Sequence, residues 1–203
     1  MSKSNNIDAI YTSDPEAFAD GYLEYLRLLL GKVDAGEVAG FIRVLLEARE
    51  CGATVFFIGN GGSAATASHF ANDLAIGTND YEKPFRAVSL ADNAAIMTAI
   101  GNDHGFEEIF VRQLKVLGKK GDVVVAISAS GNSPNLVRAF EHSSSAGIRT
   151  VAITAFDGGR LKQMADSGIH IPTGQKEYGP AEDIHLILDH LVGAYLMRLV
   201  KNG

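Results

Sequence analysis

Residues 53–76 read ATVFFIGNGGSAATASHFANDLAI, and the fold follows from where this stretch breaks. From Thr54 to Ile58 the residues are apolar and β-favouring. The run stops at Gly59-Asn60-Gly61-Gly62-Ser63, and a helix-like pattern follows, with His69 and Asp73 four residues apart. The physical reading is a buried strand, a glycine turn and a helix N-terminus. Glycine permits positive φ and lets a ligand approach the main chain closely. The free N–H groups and the positive end of the helix then favour an anion, above all a phosphate.

Working outward, the same alternation repeats. Strands are expected at 53–58, 85–89, 121–127, 149–154 and 168–171. Helices are expected between them at 63–76, 91–100, 106–117, 132–146 and 159–165, with a last one at 180–201. The segments VFFI, VVVAI and TVAIT are unbroken apolar runs, which suit a parallel sheet covered by helices on both faces. Upstream, Ser13-Asp14-Pro15-Glu16 is a helix-start signal. Helical spacing of Phe18, Tyr22, Tyr25, Leu26 and Leu29 runs to Gly31, and a second helix is expected at 35–51. These form an N-terminal helical hairpin over 14–51, ahead of an α/β core at 53–201. Residues 1–13 are polar and read as a frayed arm. The whole chain, 1–203, reads as one α/β domain.

The totals narrow the function classes. The chain has 203 residues, of which 46% are hydrophobic, enough for a substantial core. A net charge of -6 argues against non-specific nucleic-acid binding, which needs clustered Lys and Arg. Cys51 is the single cysteine, so no intrachain disulfide and no cysteine metal cluster can form. No apolar run approaches the roughly 20 residues of a membrane span, and the first residues lack a signal-peptide core. The expectation is a cytoplasmic protein with neither nucleic acid nor membrane as a partner.

The polar turns fall at the carboxyl ends of the strands, where open parallel sheets bind ligands. After the strand at 121–127 comes Ser128-Ala129-Ser130-Gly131-Asn132-Ser133. Three hydroxyls and a glycine before a helix start suit a phosphate monoester, though they also suit an ordinary capped turn. Neither this loop nor GNGGS fits GxGxxG or GxxxxGK[ST], so no nucleotide cofactor is expected. His69 and Asp73 share a helix face. On the last helix, Glu182 and His190 lie about 80° apart around the axis, with His185 on another side. A carboxylate and an imidazole on each of two helices can hold a divalent metal such as zinc, or act as general acid and base. The plainer readings are a surface His185 and a buried core His190. Gly101 reads as a helix C-cap, with Asn102 and Asp103 in a turn that offers sugar-binding groups.

Taken in order, GNGGS, the HF at 69–70, AIGNDHGF, GDVVVAISASGNSPN, the DGG at 157–159 and a histidine on the last helix resemble the SIS (sugar isomerase) domain. More narrowly, the set resembles the phosphoheptose isomerase family. The resemblance implies a three-layer αβα sandwich on a five-stranded parallel sheet, a homotetramer and sites at subunit interfaces. It implies conversion of sedoheptulose 7-phosphate to D-glycero-D-manno-heptose 7-phosphate, the first step of bacterial heptose synthesis for lipopolysaccharide. Carried over, the sugar-phosphate contacts are Asn60, Gly61, Gly62, Ser63, Asn102, Asp103, Ser128, Ala129, Ser130, Ser133 and Glu182. Zinc, one ion per subunit, would lie on His69, Asp73, Glu182 and His190, with Asp73 and His190 as the catalytic pair. Three positions depart from the family pattern: Ala129 stands for Thr, Asp73 for Glu and Glu182 for Gln. The alternatives are an isomerase of another sugar phosphate, or a non-catalytic SIS protein that binds the replication initiator DnaA. The acid at 73 and the histidine at 190 favour the enzyme.

Overall fold

The computed structural model describes residues 5–202. Helix α1 (Asn6–Ile10) is capped by Asn5, whose side chain accepts the Ile7 N–H at 2.8 Å. The segment expected to fray is therefore helical from Asn6, and residues 1–4 lie outside the described part. Helix α2 (Pro15–Leu30) starts on Asp14 with proline in its first turn, and α3 (Ala35–Glu50) starts on Asp34. Then come β1 (Thr54–Gly59), α4 (Gly62–Asn72), a π-helical turn (Asp73–Gly77), β2 (Arg86–Ser89) and α5 (Ala94–His104). A 3-10 turn (Phe106–Glu108), α6 (Val111–Leu117), β3 (Val123–Ser128), α7 (Pro134–Ala146) and β4 (Arg149–Thr154) follow. The chain closes with α8 (Gly159–Met164), β5 (Ser167–His170) and α9 (Tyr178–Asn202).

The five strands form one parallel sheet in the order β2-β1-β3-β4-β5. Successive side chains of a strand point to opposite faces, so each apolar run feeds two cores. Val55, Phe57, Val123, Val125, Val151 and Ile153 join α3, α4 and α9 on one face. Phe56, Ile58, Val124, Ala126 and Ala152 join α6, α7 and α8 on the other. The result is the expected αβα sandwich. Phe57 stacks on Phe70 of α4 at 5.2 Å and 11°, and Phe41 of α3 meets the same ring edge-on at 5.9 Å. Helix α3 is thus part of a core layer, with Val38, Phe41, Val44, Leu45 and Ala48 buried. Helix α2 buries only Leu29 and lies chiefly against α9 and α1.

Two differences from the sequence reading have local causes. Gly101 does not cap its helix. Asn93 accepts the Ile96 N–H at 3.0 Å and sets the helix start, and α5 runs on to Gly105, which takes φ +96°. A left-handed cap falls where glycine can adopt it. At the start of α9, Glu177 is buried and accepts from Asn6 N at 2.6 Å, Asn6 Nδ2 and Gly174 N at 2.8 Å, and Tyr25 Oη at 2.5 Å. Burial alone would raise its pKa, but the donors from Tyr25, Asn6 and Gly174 hold it below the usual glutamate range. One carboxylate therefore ties α1 and α2 to the segment that launches α9.

Candidate active site

From β1 the chain goes out to β2 at one edge and then crosses to β3 on the other side of β1, so β1 and β3 flank the topological switch point. Gly59 pairs with Ile127, which sets the loops 59–63 and 128–133 side by side. Between them lies a cavity of about 130 Å3, lined by Asn60, Ser63, Ser128, Ala129, Ser130, Ser133, Tyr178 and Glu182. Neither α4 nor α7 has a side-chain cap: α4 begins after Gly61 at φ +54°, and α7 after Ser133 with Pro134 at its first position. Pro134 has no N–H, and the Leu136 and Ala64 amides are already bonded, Leu136 to the Asn135 side chain at 2.9 Å, so a ligand meets the positive ends of the two helices and the few amides that remain. None of the lining side chains is basic, so an anion would be held by hydroxyls, amides and the two helix ends.

The loops are braced from behind. Asn60 and Asn135 exchange hydrogen bonds at 3.0 and 2.8 Å across the two strands, and Asn135 is 1% exposed. Ser128 Oγ accepts the Gly131 N–H at 3.1 Å. Gly131 takes φ +64°, and a Cβ there would stand 1.9 Å from the Gly158 carbonyl oxygen. The segment Asp157-Gly158-Gly159 therefore shapes the serine loop by backbone contact and is not among the cavity-lining residues. Tyr178 is held by an edge-on contact with Phe156 at 5.1 Å. Asn135 stood inside the quoted motif but its bracing role carried no sequence signal, and nothing in the sequence marked Tyr178.

Helices α4 and α9 run parallel. Gly62 faces Glu182, Asp73 faces Gly193 and Gly77 faces Met197, a constant offset along both chains. Between them the donor atoms of His69, Asp73, Asp189 and His190 all lie within 4.8 Å of one another. His69 Nε2 is 3.6 Å from Asp73 Oδ1 and 3.8 Å from Asp189 Oδ2. The two imidazoles meet edge-on at 5.0 Å. Asp73 opens the π-helical turn, a local widening that recurs at functional sites. Asp189 is 0% exposed, and burial followed by the nearby Asp73 charge pushes its pKa up to about 7, against the pull of His190. Two imidazoles and two carboxylates at this spacing suit a divalent ion such as zinc, or a proton-transfer pair.

Two expectations are corrected. Glu182 is not in this cluster: it lies against Gly62, where a Cβ would stand 2.1 Å from its Oε2, and it lines the serine cavity instead. The two histidines of α9 exchange character, His185 being 0% exposed and His190 exposed. Five residues turn a helix by about 140°, which carries one ring into the core and the other to the surface. Asn102 and Asp103 are exposed on α5, bonded to each other at 2.7 Å, and are not among the residues lining the serine cavity. Asp189 was missed because a single acid among Leu188, Leu191 and Val192 has no periodic signature; its neighbour His190 was the available hint.

Glu182 sets an electrostatic test. Burial, then the adjacent Asp183, raises its pKa above the ordinary glutamate value. When ionised it opposes an anion in the cavity. Glu182→Gln should tighten phosphate-ester binding at pH 8 about fivefold, or about 1 kcal/mol, the repulsion of like charges about 4 Å apart at the dielectric of water. The wild type should lose affinity as pH rises through the Glu182 pKa, and the variant should not. Titration calorimetry as a pH series from 4 to 8 checks both; an unchanged or weaker variant at pH 8 would place Glu182 away from the anion.

Residues 21–155 match the family model of the SIS domain. The phosphoheptose isomerase of Akkermansia muciniphila is 36% identical over 190 residues, covering 89% of this chain and 99% of that protein. The structure of a phosphoheptose isomerase from Francisella tularensis superposes with a TM-score of 0.81 at 25% identity, covering 90% of this chain and 98% of that one. One from Neisseria gonorrhoeae gives 0.79 at 29% identity, covering 89% and 97%. The chain belongs to the SIS-domain family. Within that family it falls among the phosphoheptose isomerases, which are enzymes. Among the described residues, no helix is long and apolar enough to cross a membrane.

Proposed function

We propose that the protein isomerises sedoheptulose 7-phosphate to D-glycero-D-manno-heptose 7-phosphate. The observation that carries this reading is the pairing of an anion cavity and a His–carboxylate cluster on the same two parallel helices. From Ser63 to His69, and from Glu182 to His190, the helices rise roughly 9–12 Å. An open-chain seven-carbon sugar with its phosphate in the cavity has the length to bring its carbonyl end to the cluster.

Aldose–ketose exchange moves one proton between adjacent carbons and one between their oxygens. In the proposed mechanism one member of the Asp73–His190 pair takes a proton from C1 of the ketose. The other protonates the C2 oxygen; the enediol is then reprotonated at C2 while its O1 hydroxyl gives a proton back to the pair, which leaves the C1 carbonyl of the aldose. His69 lies within 4 Å of both carboxylates and orients them. A divalent ion on this cluster would supply Lewis-acid stabilisation of the developing oxyanion. The phosphate grip spends binding energy on orientation of the distant reacting end.

The same reading includes a homotetramer. Ile96 is exposed on α5, while Met97 and Ile100 pack on the core, and Ile187, Leu191 and Tyr195 are exposed on α9. Apolar faces of this kind suit contact with further copies of the chain. A neighbouring copy would then be the route by which Asn102 and Asp103 reach a site.

Incubation of the purified protein with sedoheptulose 7-phosphate should yield the aldose; its absence both with and without added zinc would refute the reading. Ser128→Ala with Ser130→Ala should raise KM at least about 100-fold, two lost hydrogen bonds to a charged group, while kcat falls much less. A double variant with wild-type KM would show that the serine loop does not hold the phosphate.

A further inference from the structure

We infer that Asp189 is a ligand of a divalent cation held by His69, Asp73 and His190, and that Glu182 is not. The inference deepens the proposed reading of this site and rests on where side chains lie, not on turnover. Asp189 is 0% exposed, and neither carboxylate oxygen has a hydrogen-bond partner among the described residues. A buried carboxylate without a partner is one of the costliest arrangements a protein can hold, and such groups are ordinarily paired or metal-bound. The carboxylate is not turned wholly into the apolar core: Oδ2 lies 3.8 Å from His69 Nε2, and one oxygen falls within 4.8 Å of a donor atom on each of the other three residues.

Asp73 and Asp189 would repel each other across this space, and a cation between them removes both the repulsion and the orphaned lone pairs. Glu182 offers the comparison. It lies two turns earlier on α9, against Gly62, among the serines of the anion cavity, so its carboxylate belongs to a different neighbourhood. The shorter side chain at position 73 fits the same picture. Two short acids from facing helices share the ligation that a single longer acid would otherwise perform. Imidazole and carboxylate donors together suit zinc, cobalt and related divalent ions.

The test titrates chelator-treated protein with Zn2+ in competition with a chromophoric chelator at pH 7.5. One ion should bind per chain. Asp189→Asn should weaken zinc at least about 30-fold, while Glu182→Gln should stay within about twofold. Co2+ gives a second readout: the visible spectrum of the bound ion should change with Asp189→Asn and not with Glu182→Gln. Thermal melting without metal reports whether each variant folds, and Asp189→Ser replaces Asp189→Asn if the amide variant does not. Wild-type zinc affinity in the Asp189 variants, an equal loss with Glu182→Gln, or no zinc uptake by the wild type would each overturn the inference. Because binding is read without substrate, intact zinc binding with no isomerase activity would sink the proposed reaction and leave this site standing.

Discussion

Asp73→Asn and His190→Ala should each lower turnover of sedoheptulose 7-phosphate about 1,000-fold, roughly 4 kcal/mol of barrier, with substrate affinity within a few-fold of wild type. The expectation follows from the division of labour on α4 and α9. The anion cavity is built by the first turns of these helices and the serine loop, whereas Asp73 and His190 stand two to three turns further on. Asparagine matches aspartate in size and can still meet Asn72, whose Nδ2 lies 3.0 Å from Asp73 Oδ1. What it loses is the ability to carry a proton and one charged donor to the cation, so kcat is compared at saturating zinc. His190 is exposed, so its removal leaves no cavity in the core. The measurement is kcat from a stopped assay beside a dissociation constant from calorimetry. If either variant keeps kcat within tenfold of wild type, that residue does not move protons. If affinity collapses along with kcat, the cluster binds the sugar and the assignment of roles is wrong.

Much of the molecule was legible because one signal recurred. Three of the five strands announced themselves as unbroken apolar runs, VFFI, VVVAI and TVAIT, and each was followed within a few residues by a polar, glycine-containing turn at the same end of the sheet. Ser128, Ser130 and Ser133 could be placed beside Asn60 and Ser63 because parallel strands put all their carboxyl ends on one side. The cluster was half legible. His69 and Asp73 share a helix face by spacing alone, but which residues of α9 meet them depends on how two helices pack. The contacts of Gly62 with Glu182, Asp73 with Gly193 and Gly77 with Met197 fix that register, and they move Glu182 to the anion cavity and bring Asp189 beside His69 and Asp73. The bracing of Gly131 by the Gly158 carbonyl is a backbone contact between distant loops, which no local pattern encodes. Gly101 misled for a different reason: two glycines bracket Asn102-Asp103-His104, and the cap forms at the one whose φ is positive.

Stability should fall by about 3 kcal/mol between pH 6.5 and pH 4 because of one residue, His185. Its ring is completely buried, and neither nitrogen makes a hydrogen bond among the described residues. Burial pushes its pKa down to about 4; the Thr154 backbone opposes this weakly and His170 reinforces it. In the unfolded chain the imidazole takes up a proton near pH 6.5, while in the folded chain it stays neutral until about pH 4. Between those values the unfolded state binds more protons, so stability rises with pH across the window and is fully present above it. Urea unfolding at pH 7 and pH 4.5 should show the loss in the wild type. His185→Leu removes the titrating ring and leaves an apolar side chain in the core, so it should unfold close to wild type at pH 7 and lose much less on acidification. The difference between the two proteins matters more than either curve, because carboxylates such as Glu177 add an acid sensitivity that both share. Should the wild type and His185→Leu lose stability in parallel, the imidazole must be reached by water or by a proton partner. The core beneath α9 would then be less dry than its packing implies.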